Sequence, residues 1–208
     1  MKFPLGPIGY HLLSTFAKVR NKLGTWLLSG AFAEAGSHST IAFPVRINGP
    51  RGIHLGSGCY VGQGSWIGTV PNEPGADENP VLKIGDRVRM SGHVVISAAK
   101  RVELQEGVLL ARNVYISDHS HVFVRPEVPI HQQGVDQVDP VLIEKNVWIG
   151  QNAVICPGVT IGEGSVIGAN TLVKNDIPPR SVAVGTPARV IRTLDSERDR
   201  QEAIQSTA

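Results

Sequence analysis

The sequence predicts an all-β solenoid built from six-residue repeats, with a helical segment at its N-terminal end and a short helix at its C-terminal end. Two patterns carry that prediction. From Ile143, an aliphatic residue returns at every sixth position: Ile149, Ile155, Ile161, Ile167 and Val173. Four positions after each stands a small, β-branched or polar partner: Val147, Ala153, Val159, Ser165, Thr171 and Ile177. A helix repeats at about 3.6 residues and a strand at about 2, so neither alone explains a step of six. A third observation agrees: 23 glycines and an aromatic content of 5% favour many tight turns over a helical bundle.

The elements follow in chain order. Residues 1–40 read as a helical, capping segment, with Leu12, Leu13, Phe16, Val19, Leu23, Trp26 and Leu27 in a loose helical pattern. Residues 41–192 read as the repeat body. Its earlier blocks are Leu55, Val61, Ile67; Ile84, Met90, Ile96; and Leu104, Leu110, Ile116. Each unit would be a short strand and a turn, three units making one triangular coil. The aliphatic residue stacks inward, and Gly or Asn takes the unusual turn dihedrals. The register breaks between Ile96 and Leu104, where the step is eight, and at loops 69–81 and 122–140. Insertions of this kind emerge on one face of a solenoid, often the binding face. Ser181 to Arg192 reads as a last extended stretch, and residues 193–208 as a polar helix or tail.

A net charge of +2 gives no global argument for nucleic acid, and none is expected as a partner. Cys59 and Cys156 are too few for a disulfide framework, so a reducing cytoplasm is the expected compartment. No apolar run is long enough to span a bilayer. The N-terminal apolar residues are expected to pack on the coil stack. With Lys18, Arg20 and Lys22 among them, contact with the inner face of a membrane is the alternative.

The stretch PVLIEKNVWIGQNAVICPGVTIGEGSVIGANTLVKNDIPPRSVAVGTPARVIR, from Pro140 to Arg192, resembles the C-terminal signature of hexapeptide-repeat acyltransferases. The nearest branches are the maltose and galactoside acetyltransferases, the xenobiotic acetyltransferases and the polysaccharide O-acetyltransferases. The resemblance implies a left-handed parallel β-helix, an exception to the usual crossover hand. It also implies acetyl-CoA as donor, a sugar or glycan hydroxyl as acceptor, no metal, and a homotrimer with active sites between subunits.

Acyl transfer from a thioester to a hydroxyl needs a base, and histidine suits the task. The segment NVYISDHSHVF leads into the long loop. The resemblance implies His121 as that base; His119, two residues away, remains open. Asp118 would orient one imidazole or cap its own turn. The resemblance places His93 near an acceptor-contacting position that often holds Asn, a departure from the family pattern; a surface histidine is the alternative. Trp148 matches a tryptophan lining the acyl and pantetheine region. Gln151 and Ala169 match backbone contacts to the pantetheine arm, and the N–H of Gly150 or Gln151 would meet the oxyanion. Lys174, Arg180, Arg189 and Arg192 are candidates for the CoA phosphates, with Gly185 and Pro187 bordering the adenine. Cys156 reads as structural.

The DHSH cluster and Pro-rich loop look most like the polysaccharide or lipopolysaccharide branch. A small free sugar or an antibiotic is the alternative acceptor. Two rival classes share the fold: a γ-type carbonic anhydrase, with zinc on His93, His119 and His121, and a catalytically dead scaffold.

Overall fold

The computed structural model describes residues 6–70 and 81–194. The loop proposed at 69–81 lies mostly outside the described residues, as does the C-terminal helix proposed within 193–208.

The chain visits three parallel sheets in rotation, one short strand at a time, and so winds into a prism. The first face holds Glu34–Ala35, Ile53–Leu55, Leu82–Ile84, Val102–Leu104, Val141–Ile143 and Thr160–Ile161. The second runs from Thr40–Ile41 through Tyr60–Val61, Arg89–Met90, Leu109–Leu110 and Trp148–Ile149 to Val166–Ile167. The third runs from Arg46–Asn48 through Trp66–Thr69, Val95–Ala98, Tyr115–Ser117 and Val154–Ile155 to Leu172–Val173. The coils therefore begin at Glu34, ahead of the boundary expected at 41.

The six-residue register becomes three inward columns. Leu55, Ile84, Leu104, Ile143 and Ile161 stack on the first face. Val61, Met90, Leu110, Ile149 and Ile167 stack on the second. Ile67, Ile96, Ile116, Ile155 and Val173 stack on the third. All are buried. Removing each such side chain from water stabilises the fold by roughly 1.5–3 kcal/mol before the entropy of ordering is counted.

Glycine and asparagine divide the corner work. Gly150 needs no positive φ. Its missing Cβ makes room for the next coil, since a Cβ there would lie 2.7 Å from the Ala169 amide nitrogen and the Ile167 carbonyl oxygen. At the same corner, left-handed dihedrals in the later coils fall on Asn113, Asn152 and Asn170, with φ of 59°, 60° and 57°. Their side chains form a ladder along the corner between the second and third faces. Asn113 donates to Asn152 at 3.0 Å, and Asn152 donates to Asn170 at 2.9 Å.

Helix α1 (Gly6–Ser29) lies across the first coil, but not by its apolar residues. Asn21 accepts from the Phe43 N–H at 3.2 Å, Thr25 accepts from the Ile41 N–H at 2.8 Å, and Arg20 donates to the Phe43 carbonyl at 2.7 Å. Gly24 lets the helix settle on the Phe43 ring, which a Cβ would strike at 2.3 Å. Leu28 alone of the helix's large apolar side chains packs on the core cluster. Leu12, Phe16, Leu23 and Trp26 point away, 54–70% exposed. The expected docking of the apolar stripe is thus corrected: strand-edge amides need acceptors, and Asn21 and Thr25 supply them.

The other end is also different from its reading as one extended stretch. Ser181–Val184 continues the second face, then turns back as Arg189–Thr193 in an antiparallel pair.

Candidate active site

The eight-residue step between Ile96 and Leu104 and the DHSH cluster form one structural unit. The wide corner at 99–101 curls around Asp118, whose carboxylate accepts from the N–H groups of Ala99, Lys100 and Arg101 at 2.8, 2.7 and 2.7 Å. Asp118 is fully buried. Burial alone would raise its pKa. The hydrogen bonds from His119 and from those three amides outweigh it and hold the carboxyl below its ordinary value.

His119 Nδ1 lies 2.7 Å from Asp118 Oδ1, and its side chain is 8% exposed. An ionised carboxylate only accepts, so Nδ1 carries a proton towards Asp118, and Nε2 is the ring nitrogen not engaged by it. The chain then forms a hairpin: Ser120–His121 pairs antiparallel with Val135–Asp136. The loop expected at 122–140 therefore contains a strand. It is held by Gln133, which accepts from the Arg125 N–H at 3.1 Å and donates to the Arg125 and Val128 carbonyls at 2.8 and 2.7 Å. His121 sits exposed on the hairpin.

This hairpin divides the third face. On its C-terminal side is a cavity of about 560 Å³, lined by Tyr115, Ser117, Cys156 and Lys174 among others. On its N-terminal side is a smaller one of about 220 Å³, lined by Asn48, Trp66, Thr69 and Ser97 among others. His119 and His121 line both. Trp66, Ser97 and Tyr115 were not singled out in the sequence. Their signal is the outward register of the third face, where Trp66, Val95, Tyr115 and Val154 stand in one row. Arg46 covers one side of Trp66, its guanidinium carbon 4.7 Å from the ring centroid.

The remaining candidates are spread more widely. Trp148 is exposed on the second face and lines neither cavity. Gly150, Gln151 and Ala169 lie at the corner leading to the third face. The Gly150 N–H donates to Ile167 at 2.8 Å, which removes it as an oxyanion donor and leaves Gln151 of that pair. Gly185 and Pro187 form the turn of the terminal hairpin, which bonds Leu172 through the Gly185 carbonyl and the Ala188 N–H at 3.0 and 2.8 Å, and Arg189 and Arg192 lie on its returning strand. Arg180 takes a left-handed corner, φ 53°. His93 also takes a left-handed corner, φ 52°, with its ring over Gly64. It lines neither cavity with the other two imidazoles, and among the described residues no three His, Cys, Asp or Glu side chains converge as metal ligands. Within one chain, His93 is thus not brought together with His119 and His121.

Cys156 is free, and burial pushes its thiol pKa up against a partial pull from Lys174. That makes it a poor nucleophile at neutral pH.

The repeat described as bacterial transferase hexapeptide (six repeats) matches residues 140–175. A Schizosaccharomyces pombe chain provisionally named an acetyltransferase is 41% identical over 96 residues, 46% of this chain and 45% of its own. This chain thus spans less than half of that relative. The galactoside O-acetyltransferase of Escherichia coli K12 is 36% identical over 151 residues, covering 67% of this chain and 66% of its own. An E. coli K12 protein provisionally named a lipopolysaccharide biosynthesis O-acetyl transferase, WbbJ, is 29% identical over 163 residues, 76% and 80% of the two chains. Among solved structures, the N-acyltransferase AntD of Bacillus cereus, with dTDP and 3-hydroxybutyryl-CoA, superposes with TM-score 0.70 at 20% identity, over 88% of this chain and 96% of that one. That likeness is one of fold. A hexapeptide-repeat acetyltransferase of Vibrio cholerae, complexed with acetyl-CoA, gives TM-score 0.56 at 25% identity, over 85% and 79%.

Proposed function

With this chain standing among the hexapeptide-repeat transferases, we propose that it is an acetyl-CoA-dependent O-acetyltransferase acting on a sugar hydroxyl in surface polysaccharide or lipopolysaccharide synthesis. One observation carries the reading: the hairpin sets two imidazoles between two cavities on one face. Direct transfer needs that arrangement, one substrate on each side of a base.

The donor's pantetheine arm takes the larger cavity, past Cys156 towards Lys174, whose ammonium favours the CoA phosphates. The acceptor sugar takes the smaller one, with Trp66 as an aromatic wall and Asn48, Thr69 and Ser97 as hydrogen-bonding groups. His121 removes the hydroxyl proton as the oxygen attacks the acetyl carbonyl. The Gln151 N–H stabilises the oxyanion. The tetrahedral species collapses, the C–S bond breaks, and the CoA thiolate takes up the proton from His121. Asp118 and His119 hold the root of the hairpin. A second reading makes His119 the base, because Asp118 fixes its ring through Nδ1 and leaves Nε2 as the nitrogen to meet the hydroxyl.

The prism winds left-handed and assembles as a homotrimer in this reading. Trp148, 49% exposed and remote from its own chain's cavities, then serves a neighbouring subunit's site. The free thiols Cys59 and Cys156 suit a cytoplasmic setting.

Purified protein incubated with acetyl-CoA and a panel of glycans, free sugars and antibiotics should release thiol only with a hydroxylated glycan. Release with a free sugar or an antibiotic alone would move the acceptor class. No acetyl-CoA binding by calorimetry at millimolar concentration would sink the transferase reading.

A further inference from the structure

We propose that the outward face of α1 lies in the surface of an anionic lipid bilayer. The inference rests on α1 alone and does not depend on the acyl-transfer reading.

At about 100° per residue, Trp26, Val19, Leu12, Leu23, Phe16 and Leu27 fall within a single arc of roughly 100°. These six side chains are 54–70% exposed, so they form a continuous apolar stripe. The stripe is not waiting for the coil stack. Asn21, Gly24 and Thr25, on the opposite side of the helix, already make that contact. Lys22 borders one edge of the stripe, beside Trp26, with Lys18 one step further round towards Thr25; Arg20 borders the other, beside Leu27, while donating to the Phe43 carbonyl. The helix GPIGYHLLSTFAKVRNKLGTWLLS contains no acidic residue at all.

Such a stripe needs an occupant, and the charge pattern selects one. Cations along both borders of an apolar arc, with no anion among them, match lipid acyl chains below a negatively charged headgroup layer. Trp26, 70% exposed at the edge of the stripe, is a side chain that settles at a headgroup boundary. Among the described residues no helix is long and apolar enough to cross a membrane, so α1 would lie in the interfacial plane.

The test is vesicle flotation with the full chain. It should float with mixed phosphatidylcholine–phosphatidylglycerol vesicles, and bind phosphatidylcholine alone roughly tenfold or more weakly. Phe16→Glu with Leu23→Glu should abolish flotation while leaving thermal unfolding unchanged. Should that pair fail to fold, Lys18→Glu with Lys22→Glu, both at exposed sites, should still cut binding to the anionic vesicles at least tenfold. Wild-type chain that stays at the bottom of the gradient with anionic vesicles overturns the proposal. So does flotation that survives both pairs of substitutions. So does any folded variant whose subunit number changes by light scattering, because the stripe would then be covered by a second copy of this chain.

Discussion

Asp118 bonds its own neighbour and a preceding coil through the same oxygen: Oδ1 lies 2.7 Å from Nδ1 of His119 and accepts the Ala99 N–H at 2.8 Å. The orientation of the imidazole and the shape of the widened corner are therefore set together. Moving one moves the other.

Asp118→Asn tests that coupling. An amide presents N–H groups to amides that need an acceptor, and the folded state should lose roughly 2–4 kcal/mol. The acid limb follows by linkage. Because the folded pKa of Asp118 lies below its unfolded value, its contribution is complete above the ordinary aspartate range and is lost as pH falls through the folded value. Wild type should therefore destabilise below about pH 4, while the Asn variant lacks that part of the slope. Urea melts across pH read both effects.

Replacing each imidazole in turn separates the two bases. If His121 takes the proton, His121→Ala should lower kcat by about 100-fold or more with little change in acetyl-CoA affinity. His119→Ala should instead lower stability and kcat together, because it leaves the buried Asp118 short of a partner. A stable, acetyl-CoA-binding His119→Ala with no turnover, beside an active His121→Ala, would reverse the assignment.

Lys174→Ala should raise the KM for acetyl-CoA several-fold and leave kcat nearly unchanged, as expected for a contact made equally in ground and transition states. Cys156→Ser should keep most of the activity, since the thiol is held protonated. Loss of turnover in a folded serine variant that still binds acetyl-CoA would instead point to a covalent intermediate on Cys156.

The asparagine ladder gives a stability test remote from the chemistry. Asn152 holds φ at 60°, where a β-branched side chain is strained. Asn152→Val should cost roughly 2–3 kcal/mol, combining that strain with the lost bonds to Asn113 and Asn170. Asn152→Gly should cost less, because it keeps the dihedral and loses only the ladder. Thermal unfolding of the pair distinguishes the two contributions.

The inward columns were legible because a six-residue step is local. Each of Ile143, Ile149 and Ile155 fixes its own face, and all three are buried. What the corner glycines do was less legible. Gly150 looks like a turn residue but is required by the approach of Ala169 from the next coil, a distance no single repeat reveals. The widened corner at 99–101 showed as a break in register. Its purpose did not, because the acceptor that closes it, Asp118, lies a coil away. The helix was readable as a helix. Its docking side was not, because the coil edge asked for hydrogen-bond acceptors rather than apolar area. The site residues divide in the same way: the two histidines share a segment and arrive together, whereas Trp148 and Lys174 stand on different faces.

The contact between α1 and the first coil also decides where growth stops. A stack of parallel coils has no internal reason to end, since each new rung presents the same amides to the next. Asn21 and Thr25 occupy that template, taking the Phe43 and Ile41 amides that another chain would otherwise recruit. At the far end, Arg189–Thr193 turns antiparallel and closes the sequence of rungs. The helix is therefore a chain terminator. A variant that loosened it would free a nucleus for end-to-end fibres, and the first sign of its failure would be polymerisation rather than unfolding.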